Sequence, residues 1–336
     1  MSKKYSELSF KLKYVDNHGT AQGLFAQKGF ANEEAIILGK ERLIYEDIAN
    51  STTRDNRLIL AISPTASLSK KVSNQLINEA ALVLEIHQIN ALDLKRFIDR
   101  INSKKQAEIT KQQFIEAAEG HLFYTVNCPE CGATINLSRL NKTSYTYCRF
   151  CETIFQQNQD LMTKGSKYRT CDECQMFDRV QGYTEFYFYF LLIIYGYSFK
   201  RRYLCDNCAD KVFWKTLLIN FLFIVGIIPS IWIKIKSLMN RDSELEELAK
   251  ANALARIGNY QQADVIYSQL YNHYPNHPGL LMNEGLGHLF GNDGLGGAER
   301  FKRSLGYCSN YYPVINLIQK IQSTSQQQTN NTNNNN

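Results

Sequence analysis

The sequence predicts a multidomain α+β protein, and three observations carry that prediction. Eight of the nine cysteines form four Cys-x-x-Cys pairs, Cys128/Cys131, Cys148/Cys151, Cys171/Cys174 and Cys205/Cys208, within one 81-residue stretch. The hydrophobic pattern changes from short β-rich runs before the cysteines to helical periodicity after about residue 243. Between these regions, residues 216–233 (TLLINFLFIVGIIPSIWI) contain no charge. A chain of 336 residues suits two or three domains, and 44% hydrophobic residues suffice to build their cores. A net charge of +6 permits contact with nucleic acid or an anionic membrane surface without demanding either. The opening MSKKYSELSF has no apolar run after its lysines, so no signal peptide is expected. Paired thiols without an export signal point to a reducing, cytosolic setting.

The first region, residues 1–102, reads as a small β-rich domain closed by a helix. β-rich runs at 24–30, 35–38, 42–48, 58–62 and 81–87 are separated by turn signals such as Asn17-His18-Gly19 and Leu38-Gly39-Lys40. The helix is expected at 91–101, where Leu94, Phe97, Ile98 and Ile101 share one face. Many short strands followed by one C-terminal helix resemble a pleckstrin-homology-like domain in architecture, without a diagnostic motif; another small α+β domain fits equally. Residues 103–125 read as a polar, helix-prone connector whose lysines form a solvated face.

The cysteines define two metal modules. Two Cys a chelate's width apart are half of a tetrahedral thiolate site, and two such pairs complete one. In residues 126–155, Cys128-Pro-Glu-Cys131 and Cys148-Arg-Phe-Cys151 are separated by sixteen residues. Gly132 suits a tight turn with positive φ, and 134–137 and 143–147 supply strands. The spacing resembles the zinc-ribbon family. In residues 168–212, Cys171-Asp-Glu-Cys174 and Cys205-Asp-Asn-Cys208 enclose thirty residues. Their aromatic insert, 183–199, favours β structure and reads as a long hairpin with Gly196 near a bend or close contact. Crossed pairing of the four Cys-x-x-Cys units is an alternative. Four protein thiolates leave no open coordination position, so both expected zinc ions are structural. Removing them is expected to unfold 126–208 and spare the N-terminal domain.

Residues 213–236 are expected to enter a membrane. Eighteen uncharged residues of helix span about 27 Å, close to a hydrocarbon core of about 30 Å. The only tryptophans, Trp214 and Trp232, and the flanking Lys215 and Lys234 suit the two interfaces. Gly226 and Pro229 suit a kink or a re-entrant path. The insert 186–199 cannot be a second crossing, because it would place halves of one metal site on opposite sides. Basic residues before the segment (Lys200, Arg201, Arg202, Lys211, Lys215) point to zinc modules facing the cytoplasm.

The last region, 243–321, is helical, with Ser243 as a candidate N-cap ahead of Glu244, Glu246 and Glu247. In residues 253–278, Gly258, Tyr260, Ala263, Tyr267, Leu270 and Pro275 place small and aromatic residues at helix-pair contacts. Gly291, Ala298, Phe301 and Leu305 follow their counterparts at 33 to 35 residues. That period resembles the tetratricopeptide repeat, which implies two stacked helical hairpins and a protein-binding groove. Two units are few for a free solenoid, so a last helix at 313–321 or a partner is expected to cap them. Gly294, Gly296 and Gly297 read as a loosened loop, His273 and His277 as polar-loop residues, and Cys308 as a small core residue. Residues 322–336, rich in Asn and Gln, read as a disordered tail.

No P-loop, dinucleotide-binding Gly motif, His-Glu-x-x-His or Gly-x-Ser-x-Gly occurs, so neither an enzyme nor a small-molecule substrate is expected. The function the sequence favours is a membrane-associated zinc-binding scaffold that recruits a protein partner through residues 243–321. One alternative is a nucleic-acid-binding ribbon using Arg139, Lys142, Tyr145, Tyr147 and Arg149. A less favoured one is thiol redox or chaperone action through the Cys-x-x-Cys pairs.

Overall fold

The computed structural model describes residues 6–54, 56–156, 168–191, 194–220, 231, 233–235 and 246–333, with 184–201, 219–220 and 324–333 as backbone only. The chain divides into two compact units, Met1–Arg139 and Leu140–Asn336.

The first unit is built on an antiparallel sheet of β1 (Leu8–Tyr14), β2 (Gln27–Ala31), β3 (Ala35–Leu38), β4 (Glu41–Ile44), β5 (Ile48–Arg54), β6 (Arg57–Ile62), β7 (Leu76–Ile77) and β8 (Ala81–His87). Its order is β4-β3-β2-β1-β8-β6-β5, with β7 also paired to β8. Strict alternation puts Leu58, Leu60 and Ile62 of β6 and Leu82, Leu84 and Ile86 of β8 inward. The short helix α1 (Lys70–Ser73) adds buried Val72. Helix α2 (Ala91–Glu116), capped by the Asn90 side chain, covers the sheet with Leu94, Phe97, Ile98 and Ile101, the face read from periodicity. The expected strand runs at 35–38, 58–62 and 81–87 all appear. Three expectations change. The run at 42–48 breaks after β4 into a 3-10 turn over Tyr45–Asp47. The run at 24–30 begins only at Gln27, leaving Leu24 and Phe25 exposed. Helix α2 continues fifteen residues beyond 101 and absorbs most of the connector, because the polar stretch contains good helix formers and no breaker. The small hairpin of β9 (Thr125–Asn127) and β10 (Thr134–Asn136) meets α2, where the Thr134 N–H donates to Ser103 Oγ at 2.9 Å.

The second unit begins with the hairpin of β11 (Tyr145–Tyr147) and β12 (Ile154–Gln156). Strand β13 (Tyr168–Thr170) then pairs with β14 (Phe177–Leu191), which pairs along its length with β15 (Ile194–Cys205). This is the long hairpin expected of the insert. Gly196 lies inside β15 opposite Tyr189 rather than at the bend. The last ladder pair is Leu191 with Ile194, and residues 192–193 lie outside the described residues.

Helix α3 (Asp206–Asn220) leaves β15 directly. Residues 221–230 and Trp232, the body of the expected membrane segment, lie outside the described residues, as does Ser243. Among the described residues no helix is long and apolar enough to cross a membrane.

The C-terminal region consists of α4 (Glu246–Arg256), α5 (Tyr260–Tyr271), α6 (Pro278–Phe290), α7 (Gly294–Tyr307) and α8 (Tyr312–Asn333). Gly294, Gly296 and Gly297 do not loosen a loop; they form the first turn of α7. A Cβ on Gly285 would lie 2.6 Å from the Phe301 ring, and one on Gly297 would lie 2.9 Å from the Gly285 carbonyl oxygen. The glycines therefore let α6 and α7 approach closely. The tail expectation also changes, since α8 runs to Asn333. Val314, Leu317 and Ile318 anchor its start on the core, and extending a formed helix through Gln-rich sequence costs little.

The cysteine-bearing strands and the helices are not separate beads. Tyr145, Tyr147, Ile154, Tyr168, Met176 and Phe177 share one hydrophobic core with Leu248, Ala251, Tyr267, Leu280, Leu286, Phe301 and Tyr311.

Candidate metal centres

Three of the four Cys-x-x-Cys pairs adopt the same backbone knuckle. In each, the first cysteine's N–H donates to the carbonyl five residues on, and its carbonyl accepts from the N–H four residues on. The bonds join Cys128 with Ala133 and Gly132, Cys148 with Thr153 and Glu152, and Cys171 with Met176 and Gln175, at 2.7 to 3.0 Å. The fourth residue after the first cysteine is left-handed each time: Gly132 at φ 74°, Glu152 at 63° and Gln175 at 60°. Glycine adopts this conformation without strain, whereas Glu152 and Gln175 hold it at a cost. The fourth pair differs. Cys205 ends β15 and Cys208 lies in the first turn of α3, where the helix dipole favours thiolates.

The sulfurs meet in two groups. Those of Cys128, Cys131, Cys148 and Cys151 lie within 4.8 Å of one another, as do those of Cys171, Cys174, Cys205 and Cys208. Sequential pairing is thus the observed one. All nine cysteines are free thiols. The Cys174 and Cys205 sulfurs are 3.9 Å apart, far beyond a disulfide and close to the roughly 3.8 Å edge of a tetrahedron with metal–sulfur bonds of about 2.3 Å. Hydrogen bonds from Cys174, Cys205 and Cys208 hold the Cys171 thiol far below its ordinary range, while those to Cys171 push the other three far above theirs. A central dication would favour ionisation of all four thiols. Two buried four-cysteine clusters can therefore hold two metal ions.

Several residues that build the second centre escaped the sequence reading. Asp172 ties its knuckle to β15, donating its N–H to the Tyr203 carbonyl (3.0 Å) and accepting the Tyr203 N–H on Oδ2 at 2.7 Å. Arg256, at the end of α4, points Nη2 at the Cys205 sulfur (3.6 Å) and Nη1 at the Cys208 sulfur (3.7 Å). Buried asparagines hold the strands that lead from the knuckles. The Phe177 N–H donates to Asn283 Oδ1 (2.7 Å), and Asn283 Nδ2 returns a bond to the Phe177 carbonyl (2.6 Å). Asn252 Nδ2 adds bonds to that carbonyl (3.1 Å) and to Asp178 Oδ2 (3.0 Å). Asn310 repeats the two-way grip on Tyr147, at 3.0 and 2.8 Å. The available signal was α6 itself: it is apolar nearly all round, so its Asn283, Glu284 and His288 had to be buried and partnered.

One face of the helices is thus partly covered by the chain itself. The Phe177 ring sits where a Cβ on Gly279 would be, 2.5 Å from it. The helices also border a cavity of about 280 Å³ whose lining includes Glu152, Asp172, Met282, Asn316 and Lys320.

Other expectations are corrected here. His277 is not a polar-loop residue; it is 1% exposed and caps α6 by accepting the Gly279 N–H on Nδ1. Burial pushes its pKa down to about 3. Tyr145 and Tyr147, expected on a base-stacking face, are buried, and Tyr147 packs edge-on against Tyr311. Arg139 pairs with Glu119. Cys308, by contrast, is the core residue expected: it is fully buried, and burial raises its thiol pKa far above the ordinary range.

A third group, Asp264, Glu284 and His288, also brings ligand-type atoms together. Here Arg300 contacts both carboxylates (3.5 and 3.4 Å), and each His288 ring nitrogen faces a carboxylate, Asp264 at 2.9 Å and Asp293 at 2.7 Å. Side chains already partner these groups, so this is an ion-pair and hydrogen-bond network between α5, α6 and α7.

Comparison with known proteins finds no matching family model, no similar curated protein and no similar solved structure.

Proposed function

We propose that this protein is a non-enzymatic, membrane-associated scaffold in which two structural zinc ions fix a platform fused to helical hairpins. The observation that carries the reading is the closure of both four-cysteine clusters. Every coordination position of a tetrahedral ion is taken by protein sulfur, so the metal serves architecture rather than chemistry. Four thiolates suit zinc or iron, and mononuclear zinc is the simpler structural choice. Metal analysis of the purified full chain should give two zinc per chain. A metal-free protein with its fold intact would overturn the proposal.

The partner is a protein that binds residues 243–321, in keeping with the resemblance of these hairpins to tetratricopeptide repeats. Because Phe177 and Asp178 occupy part of the groove, the favoured contact surface is the end of the hairpins. Ile257 (76% exposed), Phe290 (50%) and Leu295 (88%) lie on two turns there. The turns adjoin, since a Cβ on Gly258 would lie 2.7 Å from the Phe290 carbonyl oxygen. Exposed apolar clusters of this kind mark contact sites. Replacing all three by Ser should abolish cross-linking to the partner in cells while leaving the helical content unchanged.

Membrane attachment runs through residues 213–236, with the zinc modules on the cytoplasmic side where thiols stay reduced. Trp214 and Leu218, one turn apart on α3, are exposed beside Lys211 and Lys215, a pairing suited to an interface. The full chain should fractionate with membranes and a chain lacking residues 214–234 should not. Equal solubility of the two would remove the membrane element.

A further inference from the structure

We infer that Arg256 is a positioning residue of the second metal centre, and that through it metal occupancy is coupled to the seating of the C-terminal helices. The inference rests on the reading of Cys171, Cys174, Cys205 and Cys208 as a zinc site.

The geometry sets Arg256 apart from an incidental neighbour. Its two terminal nitrogens reach two different cysteines, so the planar fork bridges the pair contributed by β15 and α3. The side chain is only 13% exposed. Its carboxylate neighbour, Asp178 at 3.8 Å, is already engaged: Oδ2 accepts from Asn252 and Oδ1 from the Arg179 N–H. Asp178 therefore orients the guanidinium, and the two sulfurs are its other partners.

Charge explains why a cation belongs there. A dication bound by four thiolates leaves a net charge of two minus in a buried site. Buried charge is costly unless compensated. The α3 N-terminus supplies part of the compensation, and Arg256 supplies a full positive charge from a helix 48 residues beyond Cys208. The coupling is reciprocal. With metal present, the anionic cluster holds the end of α4 in place. Without it, nothing fixes the two sulfurs that the Arg256 fork bridges, so the end of α4 loses that anchor.

The test uses the zinc-loaded full chain and competition with a chromogenic chelator, comparing wild type, Arg256→Met and Arg256→Lys. In Arg256→Met one of the two zinc ions should be lost at chelator concentrations roughly 10–100-fold lower, the usual cost of removing an outer partner of a metal ligand. The other ion should behave as in wild type and serves as the internal control. Lysine keeps the charge but offers one point of contact, so Arg256→Lys should show a smaller loss, and it carries the test if the methionine variant does not fold. Cobalt substitution adds a readout that packing alone would not move: the thiolate-to-metal charge-transfer band should shift in Arg256→Met. Unchanged retention of both zinc ions together with an unshifted band overturns the inference and leaves the zinc reading intact. A wild-type chain that takes up no metal overturns both.

Discussion

His277 shows how a single buried side chain writes a pH dependence into this molecule. Its Nδ1 must stay unprotonated to accept the Gly279 N–H, and burial holds its pKa at about 3 against an ordinary 6.5. The unfolded chain therefore binds a proton between about pH 6.5 and 3 that the folded chain does not. Stability from this group is complete above the upper value and lost as pH falls through the window, by about 1.4 kcal/mol per pH unit at most. His277→Asn keeps a capping acceptor without the titration, so its denaturant midpoint should fall less steeply than that of wild type between pH 7 and 5. Parallel curves would exclude His277 as the source. Asn310 makes a second prediction. Asn310→Ala leaves the buried Tyr147 N–H and carbonyl unpartnered, at about 1–3 kcal/mol for each orphaned group. Asn310→Asp should be at least as damaging, because a carboxylate would face the Tyr147 carbonyl. An Asp variant as stable as wild type in urea titration would contradict the two-way grip. Neither residue was legible as important: His277 stands in a polar-looking Asn-His-Pro turn and Asn310 in a short link, and both draw their burial from residues 100 or more positions away.

Among the elements, legibility followed the range of the determining interactions. The knuckles were readable because each is closed by bonds spanning four or five residues. Strands β6 and β8 were readable from alternation, and the inner face of α2 from helical spacing. Strand β1 carries the same alternation, Phe10, Leu12 and Tyr14 inward, but its intervening lysines hid it. The glycines of α7 were misread because glycine normally disfavours helix interiors; here the close approach of α6 overrides that preference, and the reason lies in another helix. This yields a sharp expectation. Gly285→Ala improves local helix propensity, yet its methyl group would meet the Phe301 ring at 2.6 Å and the Gly297 carbonyl oxygen at 3.1 Å. Overpacking should win, lowering stability by about 1–3 kcal/mol. Gly306, whose Cβ position is open, provides the control: Gly306→Ala near the end of α7 should be neutral or stabilising. If thermal melts rank the two variants in the opposite order, the close packing of α6 on α7 is wrong.

At the scale of the whole molecule, the sequence suggested modules strung along a chain, and that is where it misled. The contacts that fuse the second metal centre to the helices are single residues far apart in sequence: Phe177 against Gly279, Asn283 on the Phe177 backbone, Arg256 on two sulfurs. None leaves a periodic or motif-like trace. The consequence concerns what chelation unfolds. A reading by modules limits the damage to residues 126–208. The shared core of Tyr168, Met176 and Phe177 with α4 to α8 predicts a larger cooperative unit. Metal binding of about 10–16 kcal/mol per structural zinc site in peptides exceeds the usual net stability of a domain, so its removal should release the helices as well as the knuckles. The sheet of β1 to β8 under α2 has its own core of Leu12, Leu43, Leu60, Leu84 and Ile98 and needs no thiolate. Limited proteolysis after chelation should therefore leave a protected fragment covering the sheet and α2, with cleavage throughout residues 168–320. Re-addition of zinc should restore protection to both the hairpin and the helices together. Protection of residues 246–320 in the metal-free chain would show that the helices stand without the metal, and would break the link between metal and helices that the structure implies.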